Sequence, residues 1–298
     1  MSIETHPSKA PVVDTSAITE IAEGVWVLPD SDYIPMLPNI GIIVGARATL
    51  VIDTGFGPDN ARLVLKQARH LSGQRPIFLT HTHCHPEHGF GANVIAEEVT
   101  IIYNDAQWSE LKEKGTTILR MFRDQMPMLA PMLNGVEFVR PDLRYTTSLT
   151  LDLGGGLIVE LREFGGAHSR GDQAILVRGS SSVLFVGDLI EERHFGVIAD
   201  NESHVGPWID RLTGFEQLHP EIVVPGHGHM GGLELIANYR GHFELVRRRV
   251  GELRAAAELS EAEIVDRVSA ELLDRYPDWE GRNWARRTVA DLTWPSRV

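Results

Sequence analysis

Short runs of β-branched and other apolar residues, bounded by glycine and proline, recur along the chain and predict buried strands. Two stretches share one order of features: an apolar run, a turn, a second apolar run and then an aspartate. They are residues 39–55, NIGIIVGARATLVIDTG, and residues 174–188, AILVRGSSSVLFVGD. After an intervening segment, each is followed by a short apolar strand that ends in a His-x-His pair, at positions 81–83 and 227–229. The repeat predicts two similar halves, with a site at the edge where their strand ends meet.

Amphipathic segments between these runs predict helices. Residues 59–71 follow Pro58 and carry a stripe of leucine and alanine. Residues 231–258 have a long helical pattern, and Ser260 with Glu263 forms a capping box that opens a further helix. The predicted helices fill the gaps between the predicted strands.

A different kind of helical segment is expected over residues 104–133. Asn104 can cap its start, and the segment contains two prolines and four of the seven methionines. Flexible methionine side chains suit an adaptable apolar surface. We therefore expect a helical insert that is either a kinked lid over the site or an ordinary packed helical hairpin.

Composition limits the class of protein. The chain has 298 residues, 43% of them apolar, and a formal net charge of −13, which disfavours nucleic acid as a partner. There is no membrane span, no signal-peptide pattern and a single cysteine, so we expect a cytoplasmic protein without disulfides. We predict a mobile tail over residues 1–17 and one domain over residues 18–298, which ends in a helical extension over residues 260–298. This extension contains three tryptophans, Trp279, Trp284 and Trp294. They are expected to pack either on the rest of the domain or on a partner, and the partner could be a second copy of the chain in a homo-oligomer.

The most informative segment is residues 80–89, which hold four histidines within eight positions in a chain with 13. They follow the predicted buried strand at residues 77–79 and have one carboxylate, Glu87, among them. Imidazoles and a carboxylate at the mouth of a strand are ligands of borderline metals such as Zn²⁺. The segment therefore predicts a metal site in preference to a set of core or capping histidines.

This segment resembles the His-x-His-x-Asp-His signature of the metallo-β-lactamase superfamily. A register that begins at His81 fails, because Pro86 stands where its last histidine is needed. The register that begins two residues later fits, with glutamate in place of the usual aspartate, and its residues are His83, His85, Glu87 and His88. In this register His81 lies upstream, either next to the ligands without binding the metal or in the packing of the strand.

Four further motifs resemble those of the same superfamily and occur in the expected order. They are Asp53-Thr54-Gly55, the glycine-rich segment around His168, Gly187-Asp188, and Pro225-Gly226-His227-Gly228. The resemblance covers the chain from about residue 20 to about residue 245. It implies an α+β fold, a four-layer αββα sandwich, here with a helical insert and C-terminal helices.

The resemblance also implies a dinuclear metal centre. The first ion would be held by His83, His85 and His168, and the second by Glu87, His88 and His227. Asp188 would bridge the two ions, which are expected to be Zn²⁺, with Fe²⁺ or Mn²⁺ as alternatives. Because Glu87 is one methylene longer than aspartate, the second site is expected to be weaker, and a mononuclear enzyme stays open. A hydroxide on the metals would be the nucleophile, so Asp188 and Glu87 belong to the predicted catalytic group.

Several neighbours of these ligands are candidates for other roles. His194 and His204 follow Asp188 and could protonate a leaving group or hold a substrate oxygen, with a surface loop as the alternative. Arg170 could bind a substrate carboxylate or pair with Asp172.

Two more residues are expected to lie near the metal ligands without binding the metal. Asp53 is expected to orient a ligand histidine by accepting its second N–H. Cys84 alternates tightly with two ligands and is expected to point away from the metals as a bystander. No serine or cysteine nucleophile is needed for the predicted chemistry.

The predicted function is hydrolysis of a small ester, thioester, lactone or amide. The absence of a signal peptide argues against a secreted β-lactamase, the length argues against an alkylsulfatase, and the charge argues against a nuclease. The alternatives are a mononuclear iron oxidoreductase of the same fold, similar to a persulfide dioxygenase, and a metal-binding protein without turnover. The expected partner is a small-molecule substrate, with no nucleic acid and no membrane.

Overall fold

The computed structural model of the protein describes residues 9–199 and 201–293, in which the apolar runs form two sheets. The first sheet contains, in spatial order, β1 (Thr19–Ala22), β2 (Val25–Leu28), β3 (Ile40–Val44), β4 (Thr49–Ile52), β5 (Ile77–Thr80), β6 (Thr100–Asn104) and β7 (Leu143–Tyr145). The second contains β8 (Ser148–Gly154), β9 (Leu157–Glu163), β10 (Gln173–Arg178), β11 (Ser182–Glu191) and β12 (Ile222–His227). In this sheet, as in the first, strands that are consecutive in the chain lie next to each other.

Helices occupy the segments between and after the strands. They are α1 (Pro58–Ser72), α2 (Pro86–Gly89), α3 (Asp105–Gln125), α4 (Val205–Gln217), α5 (Leu233–Ala256), α6 (Glu261–Arg275) and α7 (Arg282–Thr293). Among these described helices, none combines the length and the apolar content that a membrane crossing needs.

Apolar clusters hold the layers together. One cluster joins the first sheet to α1 and α3, another lies between the sheets, and a third joins the second sheet to α4 and α5. The sheets approach closely where Gly41 faces Phe185, since a Cβ at position 41 would lie 2.7 Å from the phenylalanine ring. The layers are helix, sheet, sheet and helix, so the predicted αββα sandwich is confirmed.

The sequence repeat corresponds to a repeat in strand pairing. In the first sheet β3 and β4 pair antiparallel, and β5 returns parallel to β4 after α1. In the second sheet β10 and β11 pair antiparallel, and β12 returns parallel to β11 after α4. Both halves therefore direct strand ends with Asp and His toward one edge of the sandwich.

The segment predicted as an insert is a packed helix. Asn104 caps α3 by accepting a hydrogen bond from the backbone N–H of Gln107, as expected. The helix is continuous to Gln125 and ends before Pro127, and a short 3-10 helix, Ala130–Leu133, follows, so the helical segment is interrupted at its prolines. Three methionines belong to the apolar cluster around α1 and α3, and the packed alternative accounts for them: Met121, Met126 and Met132.

The N-terminal segment differs from the prediction of a mobile tail. Residues 9–17 do not form a mobile tail, because Val13 is buried and its N–H donates to Asn60 of α1. The predicted mobile tail is therefore wrong for residues 9–17, and residues 1–8 lie outside the described residues.

At the other end the capping box at Ser260 is confirmed, and α6 and α7 pack on α5. Trp279 stacks on Tyr239 of α5, whereas Trp284 lies beneath the guanidinium of Arg287. Trp294 lies outside the described residues.

Candidate metal centre

Histidines and carboxylates meet where strands of both halves end. Asp53 follows β4, the histidine segment follows β5, and His227 closes β12. Asp188 lies within β11 directly after Gly187, whose backbone is left-handed and where a Cβ would lie 2.5 Å from Thr82. Glycine at this position lets the second sheet bring Asp188 against the histidine segment of the first.

The side chains form two sets that share one residue. Within each set the potential ligand atoms all lie within 4.8 Å of one another. The first set is His83, His85, His168 and Asp188, and the second is Glu87, His88, Asp188 and His227. The structure thus brings together all the residues predicted as ligands, in the register that begins at His83.

The three imidazoles of the first set converge on one point. His168 Nε2 lies 3.2 Å from His83 Nε2 and 3.0 Å from His85 Nδ1. Two nitrogens at the usual zinc distance from one tetrahedral ion are separated by about 3.3 Å, so this spacing suits such an ion. Burial holds the pKa of His83 well below its usual range and lowers that of His168 to about 4. Neutral imidazoles carry the lone pair that a metal ligand needs.

Backbone and side-chain acceptors fix the tautomers of three ligand histidines. The Nδ1–H groups of His168 and His227 donate to the carbonyl oxygens of Val197, at 3.1 Å, and Leu37, at 2.9 Å. His88 Nδ1 lies 2.9 Å from a carboxylate oxygen of Asp53. In each ring Nε2 is then left for the metal, which is the usual arrangement around protein-bound ions. Asp53 therefore lies where it was expected.

Asp53 is itself held in a constrained conformation. Its side chain is buried, and it accepts hydrogen bonds from the N–H and the hydroxyl of Thr82. Its φ of 69° is left-handed, a region that aspartate enters more readily than β-branched residues do. The turn aims the carboxylate at His88 from the end of β4.

The second set brings buried polar atoms face to face. His88 Nε2 lies 3.2 Å from Asp188 Oδ1, and Glu87 Oε2 has no hydrogen-bond partner among the described residues. Burial alone would raise the pKa of Asp188, yet the surrounding imidazoles hold it well below its usual range. Burial raises the pKa of Glu87. Buried donors and acceptors are rarely left unpaired, so this donor set fits a second cation next to the first.

The sequence matches a known family along most of the chain. The family model described as the metallo-beta-lactamase superfamily matches residues 33–227. The chain belongs to this superfamily. A relative, metallo-beta-lactamase type 2 of Bacteroides fragilis, is 22% identical over 233 residues, which is 76% of this chain and 84% of that protein.

Solved structures share the superfamily fold. A metallo-beta-lactamase from Pontibacter korlensis aligns with a TM-score of 0.60 at 18% identity, over 75% of this chain and 96% of that one. A stereoselective inverting sec-alkylsulfatase from Pseudomonas sp. aligns with a TM-score of 0.69 at 17% identity, over 94% of this chain and 50% of that one. At such low identities the likeness shows the fold and does not identify a substrate.

The two histidines predicted as further catalytic residues, His194 and His204, lie in different surroundings. His194 is one-quarter exposed, its Nδ1 lies 3.1 Å from Glu191 Oε2, and burial lowers its pKa to about 4. His204 precedes α4, and its Nδ1 lies 3.1 Å from Asp291 of α7. Contact with the C-terminal helix accounts for His204, and its predicted catalytic role stays a prediction.

Arg170 has different partners from those expected. Its guanidinium pairs with Glu113 and Glu202, each at 2.7 Å. The expected pairing with Asp172 is wrong, because Asp172 accepts hydrogen bonds from the backbone N–H of His168 and from Ser169. Asp172 thereby shapes the loop that presents His168.

Sequence reasoning missed two buried carboxylates beside the ligands, Glu110 and Glu191. Cys84 is buried in the apolar cluster of the first sheet, as the bystander interpretation predicts, and burial together with the charge of Glu110 raises the pKa of its thiol. Glu191 closes β11 and is 5% exposed. A charged residue at the end of an apolar strand, three positions after Asp188, was the available signal for Glu191.

Proposed function

We propose that the protein is a metal-dependent hydrolase with a dinuclear centre, and that the metal is zinc. The observation that carries the proposal is the pair of ligand sets joined through Asp188, with ring nitrogens aimed inward by their hydrogen bonds. When bound, two such ions would lower the pKa of a water molecule and polarise a carbonyl group. Imidazole-rich sets suit zinc, while Fe²⁺ and Mn²⁺ are the alternatives.

The residues around the proposed metal centre have separate roles. Asp188 ties the two sets together, and its low pKa keeps it an anion among the imidazoles. Asp53, Val197 and Leu37 hold the ligand rings in one orientation, so the centre is organised before substrate arrives. A fixed set of ligands of this kind favours an enzyme over a protein that only stores metal.

The proposed substrate is a small ester, thioester, lactone or amide. The fold likeness to the sec-alkylsulfatase, over 94% of this chain, adds a secondary alkyl sulfate to the compounds to be tested. We further propose a cytoplasmic protein that acts on a small molecule, without a nucleic-acid or membrane partner. The net charge of −13 supports the exclusion of nucleic acid.

The test combines metal analysis with a substrate panel. Protein prepared without chelator should contain between one and two equivalents of zinc, and it should hydrolyse at least one of p-nitrophenyl acetate, an acyl thioester, a γ-lactone or a secondary alkyl sulfate. The His83→Ala, His85→Ala double variant is the matched control and should lose both metal and turnover. Full metal retention by that variant would refute the ligand assignment. Iron together with oxygen consumption would replace the hydrolase by the oxidoreductase alternative.

A further inference from the structure

One loop, residues 191–197, borders both ligand sets. At its start the N–H of Glu192 donates to the carbonyl oxygen of His227, at 3.0 Å. Near its end the carbonyl oxygen of Val197 accepts the Nδ1–H of His168, at 3.1 Å. His227 belongs to the second set and His168 to the first, so the loop passes across the centre from one set to the other.

His194 lies in the middle of this loop and is held on two sides. Its Nδ1 lies 3.1 Å from an oxygen of Glu191, whose side chain is buried. Its ring lies against Gly281, where a Cβ would be 2.3 Å from the imidazole Cε1. The ring is still one-quarter exposed, so it is fixed in place without being closed off from solvent.

The C-terminal extension provides the second support. The backbone N–H of Phe195 donates to Glu280 and that of Glu280 donates to Arg193, which joins the extension to the loop as a short bridge. The Phe195 side chain is fully buried among helices of the extension, next to Trp279. The match to the superfamily ends at residue 227, so these supports come from a part of the chain outside that match.

We propose that His194 contacts the substrate, and that Glu191 and Gly281 act as positioning residues for it. The proposal rests on the proposed hydrolase function. Nδ1 faces Glu191 and Nε2 lies beside Gly281, which has no side chain to cover it, so in this proposal Nε2 is the ring atom that hydrogen-bonds an oxygen of the substrate, either the acyl oxygen or that of the leaving group. The C-terminal extension is then part of the substrate site through its contact with this imidazole.

The contact with Gly281 allows a matched pair of variants. Gly281 and Gly73 have nearly the same left-handed φ, 65° and 63°, but no atom lies within 4 Å of a Cβ at position 73. Both substitutions place alanine at a positive φ, whereas only Gly281→Ala must also displace His194. Histidine-labelled NMR spectra, with the His194 signals assigned by their loss in His194→Ala, should show a shift of those signals in Gly281→Ala and none in Gly73→Ala.

Binding to the zinc-loaded protein gives a readout that does not need turnover. Acetohydroxamate offers two oxygens to a metal centre and serves as the probe. His194→Ala and Gly281→Ala should weaken its binding by about tenfold, the scale of one lost hydrogen bond, at unchanged zinc content. Gly73→Ala should bind like the native protein, and Glu191→Gln should retain more affinity than Glu191→Ala.

The outcomes separate the two proposals. Acetohydroxamate binding by His194→Ala equal to that of the native protein would overturn the role of His194. Identical behaviour of Gly281→Ala and Gly73→Ala would overturn the positioning role of the extension, and if Gly281→Ala does not fold, His194→Ala alone decides. A zinc-loaded protein that turns over no member of the substrate panel would contradict the hydrolase, while the binding and NMR results would still report on His194.

Discussion

At the scale of single residues, the glutamate in the ligand motif is the main departure from the superfamily signature. Glu87 is buried, and its carboxylate stays within the second ligand set despite the extra methylene. One of its oxygens has no hydrogen-bond partner among the described residues. The longer side chain is therefore compatible with a ligand role, and the remaining question is its effect on affinity.

We predict that the second metal site is the weaker one, and that Glu87→Asp tightens only that site. The extra methylene must be absorbed by the rotamer or by a shift of the ion, and perturbed coordination of this kind costs roughly 10–100-fold in affinity. Zinc titration of the apoprotein should give two unequal affinities. The exposed Glu97→Asp is the control and should change neither. Equal and tight binding at both sites in the native protein would contradict the prediction.

At the scale of secondary-structure elements, α3 connects the two loops that supply the first ligand set. Its Glu110 is buried, its charge raises the pKa of the Cys84 thiol between two ligand histidines, and it accepts the N–H of Gly171 in the His168 loop, at 3.1 Å. Gly171 lies directly on the helix, since a Cβ there would be 2.3 Å from the Cα of Gln107. The helix contributes to the metal centre as a support on the outer face of the sheet, and the lid interpretation is not needed.

We predict that Glu110→Ala weakens zinc binding at the first site by about tenfold and lowers the melting temperature. The variant leaves the buried N–H of Gly171 unpaired, which costs about 1–3 kcal/mol, and it loosens both ligand loops. Glu110→Gln should restore most of the affinity because it retains an acceptor. Glu113→Ala, on the same helix, removes an exposed ion pair with Arg170 and an exposed hydrogen bond from Ser109, and it should change little. The visible spectrum of cobalt-substituted protein reports on the first site, and an unaltered spectrum in Glu110→Ala would argue against this role for α3.

At the scale of the whole molecule, the repeat in the sequence was sufficient to predict the sandwich and the edge that carries the ligands. The strands of the repeat are almost wholly apolar because both of their faces are covered. The hairpin of β8 and β9 was missed because its strands alternate exposed, half-buried and buried positions and lack a continuous apolar run. Glu110 and Glu191 were missed because their roles depend on contacts between segments far apart in the chain.

Metal binding should also join the two halves of the sandwich, and this leads to the last prediction. His83, His85, Glu87 and His88 come from the first half, whereas His168, Asp188 and His227 come from the second. An ion bound only by the folded protein stabilises it by about 2.7 kcal/mol at a concentration 100 times its dissociation constant. For a protein of this size that corresponds to a melting temperature higher by roughly 4 °C. Chelation should therefore lower the melting temperature by this amount and added zinc should restore it, whereas the His83→Ala, His85→Ala variant should respond much less. A native protein that loses its metal without any change in melting temperature would show that the halves are held together without the ions, through the apolar cluster between the sheets alone.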